Sequence, residues 1–221
     1  MPSLETAVLA ILLGAIGLGW GIASDRISVR WPAHEEGVAL RQGWDWRAPV
    51  VAVFGLIALA SVPLRFDDPL ERLLFVAYFL ACTLIMATDL DQRIMPDVLT
   101  LPAIAVGVVV VLLGGDSLEN RLPIILTVAA AILVPMLLFI ASLPFGAEAF
   151  GFGDVKFLVG VGLLTGFTRI ILTIFAAALA GGIVIAVLLV ARKITLKSYV
   201  PFGPFLVIGL LWVTLLPSAT S

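Results

Sequence analysis

Two short polar segments, each beside a long apolar run, hold the residues of this sequence best suited to chemistry. Residues 87–97 contain Asp89, and residues 151–156 contain Asp154. A carboxylate at the edge of an apolar helix is costly to place, and ionisable groups in such positions are more often functional than accidental. Both aspartates are therefore candidate catalytic residues.

Two carboxyl groups that share a site can hydrolyse a peptide bond. They do not ionise together easily, so one is held as the carboxylate and the other as the acid. The ionised Asp activates water, and the protonated Asp polarises the substrate carbonyl. Gly151 and Gly153 are expected to allow a tight turn before Asp154 and the close approach of a substrate strand. The pattern predicts a catalytic pair, Asp89 and Asp154, that requires no metal ion.

Each aspartate also has an ordinary structural interpretation. Asp is a favoured residue for a helix N-cap, which would account for Asp154. Asp89 is equally compatible with a solvated position just past a helix end. Residues 89–97 fit a polar turn in which Pro96 starts the next helix. Neither segment, taken singly, decides between structure and catalysis.

The composition indicates a membrane protein. The 221 residues are 62% hydrophobic and 13% charged, whereas soluble domains have about 45–50% apolar and about 25% charged residues. Too few polar residues remain to cover an outer surface in water, which predicts an all-α fold with the lipid bilayer as its outer solvent. The net charge of -2 and the lack of a long basic run argue against a nucleic-acid partner. With Cys82 as the only cysteine and His34 as the only histidine, no disulfide framework, metal site or cofactor is expected.

Eight apolar runs are candidate transmembrane helices, because a span needs about 20 largely apolar residues. They are Thr6–Ser24, Ala48–Leu64, Leu73–Thr88, Val98–Gly114, Leu122–Leu143, Val155–Phe167, Ile170–Ala191 and Pro201–Leu216. Val155–Phe167 is too short to cross alone and is expected to begin deeper in the membrane or to lie where the bilayer is thinned. The first run has no basic residue before it, which argues against a cleaved signal peptide.

The basic residues predict the orientation, because they are enriched in cytoplasmic loops. With the N-terminus outside, the inner loops hold nine arginines and lysines and the outer loops hold four, Arg169 among them. This N-out, C-out arrangement makes residues 25–47 a short cytoplasmic loop of a single transmembrane domain, residues 1–221. It also places both aspartates at the cytoplasmic edge of the membrane.

Three motifs follow one another along the chain. Asp89 stands seven residues before a Pro-Asp pair at 96–97, residues 151–156 read Gly-Phe-Gly-Asp-Val-Lys, and residues 200–206 read Val-Pro-Phe-Gly-Pro-Phe-Leu. With these motifs the chain resembles the type IV prepilin peptidases, the bacterial branch of the GxGD membrane aspartyl proteases. The order and spacing of the apolar runs agree with that family. The resemblance is good from about residue 48 onward and looser before it.

The resemblance implies a leader peptidase of the bacterial cytoplasmic (inner) membrane. Members cut the basic leader from prepilins or pseudopilins at the cytoplasmic face, and the products build type IV pili or type II secretion systems. By this resemblance Asp89 and Asp154 are catalytic. The other motif residues are implied to be supporting or close to substrate: Arg93, Pro96, Asp97, Gly151, Gly153, Lys156, Pro201 and Gly203.

Residues 25–47 depart from the family pattern. Many members carry a larger cytoplasmic domain there, with paired Cys-x-x-Cys motifs typical of a zinc site, and they N-methylate the new pilin terminus with S-adenosylmethionine. Residues 25–47 contain no cysteine, so zinc is not expected. The sequence leaves methyltransferase activity open.

The acidic residues of the proposed inner side suggest how a basic leader would be attracted. These are Glu35, Glu36, Asp45, Asp91 and Asp97. Their attraction for a leader would be screened by salt. An ordinary solvated loop is the alternative interpretation.

Two other classes of membrane protein fit the composition. Proton-coupled transporters also use paired carboxylates, but near the bilayer midplane and often at broken helices, whereas both aspartates here fall at helix ends on one side. A non-catalytic assembly factor would account for the hydrophobicity but not for the two Asp motifs.

Overall fold

The structure is built from helices. The computed structural model describes residues 3–32, 40–112, 124–145, 150–195, 198 and 200–216. Within these ranges the helices are α1 (Leu4–Ser28), α2 (Arg47–Arg65), α3 (Pro69–Gln92), α4 (Asp97–Leu112), α5 (Ile124–Ser142), α6 (Phe152–Thr165), α7 (Phe167–Val190) and α8 (Gly203–Leu215), with a 3₁₀ turn at Leu143–Phe145. The predicted all-helical fold is confirmed.

Five of the helices in the described ranges are long and apolar enough to cross a bilayer, namely α1, α2, α3, α5 and α7. Helices α4, α6 and α8 have 16, 14 and 13 residues, below the minimum of about 17 for a span. Of the eight predicted spans, five are thus long and apolar enough in the described residues, and α6 is short as expected for Val155–Phe167. Each predicted run coincides with a helix. Helix α6 is short because Gly166, whose φ is 85°, ends it.

Several positions predicted in loops lie in helices, Asp25 and Arg169 among them. Asp25 extends α1, because its buried carboxylate forms ion pairs with Arg26 and Arg41. Arg169 lies in the first turn of α7 and is only 5% exposed. Its Nη1 donates to the carbonyl of Val213 in the last turn of α8, where backbone carbonyls need donors. Because α1 continues to Ser28, the loop that was predicted to begin at residue 25 begins after Ser28.

The chain divides into two compact units, Met1–Pro96 and Asp97–Ser221. In the first, α1 and α2 pack backbone against backbone. Gly17 and Gly55 approach so closely that a Cβ on either would overlap the other's carbonyl group. Small residues permit such contacts between membrane helices. Trp20 of α1 adds a hydrogen bond to the carbonyl of Leu80 in α3 at 2.8 Å.

The second unit contains α4 to α8. Helix α6 is held by α4 through Gly107, on which a Cβ would lie 2.7 Å from Cβ of Leu163. It is held by α5 through Gly162, on which a Cβ would lie 2.7 Å from Cα of Ala131. Because neither glycine has room for a side chain, α6 packs closely against both α4 and α5.

Candidate active site

Asp89 lies in the last turn of α3 and is 6% exposed. The helix ends at Gln92, and Arg93 adopts the left-handed conformation, with φ 59°, that commonly terminates a helix. The N–H of Arg93 donates to the carbonyl of Asp89 at 3.0 Å. The predicted site residue Arg93 therefore contacts Asp89 through its backbone.

Asp154 lies in the first turn of α6 and is 8% exposed. The N-cap of α6 is Gly151, so Asp154 is not the N-cap that one interpretation of the sequence allowed. Its Oδ2 accepts a hydrogen bond from the N–H of Gly151 at 3.0 Å, the arrangement by which an acid in the first turn satisfies an N-cap donor. Asp154 precedes the apolar run Val155–Phe167. Burial raises the pKa of Asp154 to about 6, against the lowering effect of the Gly151 hydrogen bond.

Gly151 does not form the tight turn that was predicted before Asp154. Its φ of -76° and ψ of 151° are ordinary extended backbone, so no tight turn requires glycine here. A Cβ at position 151 would lie 3.3 Å from Oδ2 of Asp154. The glycine thus leaves space beside the carboxylate. Gly153 lies within the first helical turn and is partly buried.

Lys156 and Asp97 form an ion pair. The Nζ of Lys156 donates to both carboxylate oxygens of Asp97 and lies 5.1 Å from the ring centroid of Phe152. Asp97 begins α4, directly after the buried Pro96. The pair therefore ties the first turn of α6 to the first turn of α4.

The start of α8 also contacts the start of α6. Gly203 is the buried first residue of α8, and Pro201 is partly buried. Between them, Phe202 packs edge-on against Phe150, with ring centroids 6.1 Å apart. Because Phe150 directly precedes Gly151, two of the three sequence motifs meet here in the second unit. Asp89 and Arg93 belong to the first unit.

Sequence reasoning missed an ion cluster in the first unit. Its members are Asp25, Arg41, Asp45, Arg47 and Asp91. The only visible sign was the four-residue spacing of Arg41 and Asp45, which also form an ion pair. The longer-range pairs join residues far apart in sequence and leave no local pattern.

The expected attraction of a basic leader is weakened at three positions. Asp45, Asp91 and Asp97 are each paired with an Arg or Lys of the chain itself. Glu35 and Glu36, like His34, lie outside the described residues. Among the residues that are described, no group of three or more His, Cys, Asp and Glu side chains is arranged to hold a metal ion.

The sequence model of the Type IV leader peptidase family matches residues 76–186, half of the chain. The chain belongs to this family. The range shared with the type IV leader peptidases runs from α3 into α7 and includes both Asp89 and Asp154.

Curated relatives agree with this membership of the leader peptidase family. A prepilin leader peptidase/N-methyltransferase of Pseudomonas putida is 30% identical over 191 residues, covering 83% of this chain and 58% of the relative. The protein of the same name from Aeromonas hydrophila is 31% identical over 180 residues, covering 77% and 60%. The chain thus spans about three fifths of the length of these relatives. No solved structure matches it.

Proposed function

We propose that this protein is a membrane aspartyl endopeptidase that removes the basic leader from type IV prepilins or pseudopilins, with Asp89 and Asp154 as its catalytic pair. The observation that carries the proposal is the family match, because residues 76–186 include both aspartates. The burial of both side chains at helix ends, 6% and 8% exposed, supports it. A transporter or a non-catalytic assembly factor has no comparable support.

The proposed chemistry uses the carboxyl groups as base and acid. The ionised Asp takes a proton from water, whose oxygen attacks the scissile carbonyl carbon, while the protonated Asp donates to the carbonyl oxygen. The tetrahedral intermediate then collapses, the C–N bond breaks, and the leaving nitrogen receives a proton from the pair. Because the two carboxyl groups share one proton, the acid and base roles belong to the pair and not to one fixed aspartate.

We also propose that the N-terminus lies outside and that both aspartates face the cytoplasm of the inner membrane. This arrangement requires α4 as well as α5 to cross between them, the 16-residue α4 with local thinning of the bilayer. Helices α1, α2 and α3 are each long enough to cross, so three crossings would bring Asp89 to the side opposite Ser3. In a Cys82→Ser background, Ser3→Cys should react with an impermeant maleimide in intact cells. Ile94→Cys, 43% exposed, should react only after permeabilisation. The reverse pattern would overturn this orientation.

Cleavage of a purified prepilin in liposomes tests the proposed function. Wild type should release the leader, and Asp89→Asn and Asp154→Asn should each abolish release while still inserting, because Asn keeps the shape and removes the ionisation. Asp67→Asn is the matched control, since the Asp67 side chain is fully exposed at 106%, and it should cut normally. Two active Asn variants at 89 and 154 would refute the aspartyl pair.

The proposal covers the peptidase step alone. The relatives are also named N-methyltransferases, and a mass measurement of the new N-terminus with S-adenosylmethionine present tests whether methylation follows cleavage by this chain. Proteins of type IV pili or type II secretion systems are the proposed source of substrates.

A further inference from the structure

The last turn of α3 is anchored by residues outside α3. Asp91, whose side chain is 4% exposed, lies 3.0 Å from Nε of Arg41 and 2.5 Å from Nη1 of Arg47. The next residue, Gln92, donates from Nε2 to the carbonyl of Ser28 at the end of α1, at 2.5 Å. The turn that contains Asp89 is therefore held by α1, by the segment before α2 and by the first residue of α2.

Arg41 is held in turn by two more carboxylates. Its Nη2 lies 2.6 Å from Oδ1 of Asp25, and its Nη1 lies 2.6 Å from Oδ1 of Asp45. The planar guanidinium presents several N–H donors in fixed directions, which suits it to join carboxylates. Because Asp25 is only 1% exposed and belongs to α1, Arg41 links a buried point of α1 to Asp91.

This anchoring matters because helix ends fray and open locally. Asp89 lies in the final turn of its helix, where such fraying would displace its carboxylate. A misplacement of about 1 Å can cost about 100-fold in rate. We propose that Asp91, clamped by Arg41 and Arg47, is a positioning residue that holds Asp89 in place for peptide hydrolysis. This role rests on the proposed peptidase function.

Kinetics of Asp91→Asn provide the first test. The variant keeps the shape of the side chain and loses its charge, so we expect kcat to fall about 10-fold or more. KM should not change, because Asp91 is paired within the protein and is not proposed to touch substrate. Asp91→Glu, which keeps the charge, should recover part of the loss.

Amide hydrogen exchange provides a readout that does not depend on activity. The N–H of Arg93 donates to the carbonyl of Asp89, so its exchange reports the opening of this turn. It should accelerate in Asp91→Asn. Arg72→Gln is the matched control, because Arg72 pairs with Asp67 at the other end of α3. The control should alter neither kcat nor the exchange of Arg93.

The outcomes separate this role from the proposed function. If wild type cuts no prepilin, both the peptidase function and the positioning role of Asp91 are refuted. If wild type cuts and Asp91→Asn has either a normal kcat or unchanged exchange at Arg93, only the positioning role is overturned. If Asp91→Asn does not fold, Arg47→Gln removes one of the two cations on Asp91 from a partly exposed position. Arg47→Gln should then accelerate the exchange of the Arg93 N–H and lower kcat, with a smaller decrease in kcat than for Asp91→Asn.

Discussion

The Nζ of Lys156 lies 2.7 Å from Oδ1 and 2.8 Å from Oδ2 of Asp97, so one ammonium group joins the first turns of α4 and α6. Lys156 follows Asp154 by two residues in the same turn. The side chains of the pair are 24% and 57% exposed, and exposed ion pairs contribute about 1 kcal/mol or less to stability. The pair should therefore matter more for the placement of Asp154 than for stability.

Lys156→Gln should separate these two effects. We expect kcat for leader cleavage to fall by about 10-fold through misplacement of Asp154, with a change in unfolding free energy of about 1 kcal/mol or less. Cleavage kinetics and thermal midpoints in one detergent measure both. The double variant Asp97→Lys/Lys156→Asp re-forms the pair in reverse and should recover activity. A double variant no better than Lys156→Gln would mean that Lys156 does not act through Asp97.

Stability should depend on pH through Asp154. Burial raises its pKa to about 6 in the folded protein, above the value of about 3.9 for an unfolded chain. Between these values the folded state binds more protons than the unfolded state, so stability falls as pH rises through this range and stays lower above it. The loss is on the order of 3 kcal/mol at neutral pH.

Asp154→Asn removes this titration and should be more stable than wild type at neutral pH, because no buried charge remains. The two proteins should converge in stability at acidic pH, where Asp154 is protonated. Thermal midpoints recorded from about pH 4 to about pH 8 provide the comparison. Asp67→Asn should follow the wild-type curve. Equal separation of wild type and Asp154→Asn at every pH would contradict the raised pKa.

The helices were predictable because long continuous apolar runs in lipid satisfy their backbone hydrogen bonds within the segment as helices. The run Ala48–Leu64, for instance, became α2 at Arg47–Arg65. Their capacity to span depends on where each helix stops. Val155–Phe167 was predicted to be too short to cross alone, and the structure adds the physical reason, since Gly166 adopts φ 85° and separates α6 from α7.

The candidate site was predictable in its residues but not in its contacts. The motifs identified Asp97 and Lys156 separately, yet their ion pair spans 59 positions in sequence. Similarly, Asp25 was assigned to a loop because it begins the polar stretch 25–47, and its ion-pair partner Arg41 lies 16 positions away. A single sequence has no local pattern that reports such pairs, so the charges that anchor the ends of α3 and α6 appear only in the folded chain.

The packing of α1 on α2 should be intolerant of side chains. A Cβ on Gly17 would overlap the carbonyl of Gly55, whereas a Cβ on Gly19 would meet nothing within 4 Å. Gly17→Ala should therefore destabilise the protein by about 1–3 kcal/mol. Gly19→Ala should be neutral or stabilise it by up to about 1 kcal/mol through helix propensity. Thermal midpoints of the two variants, measured side by side, test this, and equal midpoints would exclude the close approach.

Arg169 should stabilise the protein without taking part in catalysis. It is 5% exposed, and its guanidinium donates to the carbonyls of Val213 and Leu216, at the end of α8 opposite Gly203. Hydrogen bonds that involve a charged group contribute about 1.5–3 kcal/mol each. Arg169→Met should lower the free energy of unfolding by about that amount, because the carbonyls lose their donor, while kcat per folded molecule stays at the wild-type value.

Lys193→Met is the matched control for Arg169→Met, because Lys193 is an exposed cation just beyond the other end of α7. It should change neither stability nor kcat. Thermal midpoints together with active-site titration distinguish a loss of folded protein from a loss of turnover. A normal midpoint with reduced turnover in Arg169→Met would assign Arg169 to the reaction. Its burial and its hydrogen bonds at the end of α8 predict instead a lower midpoint with normal turnover.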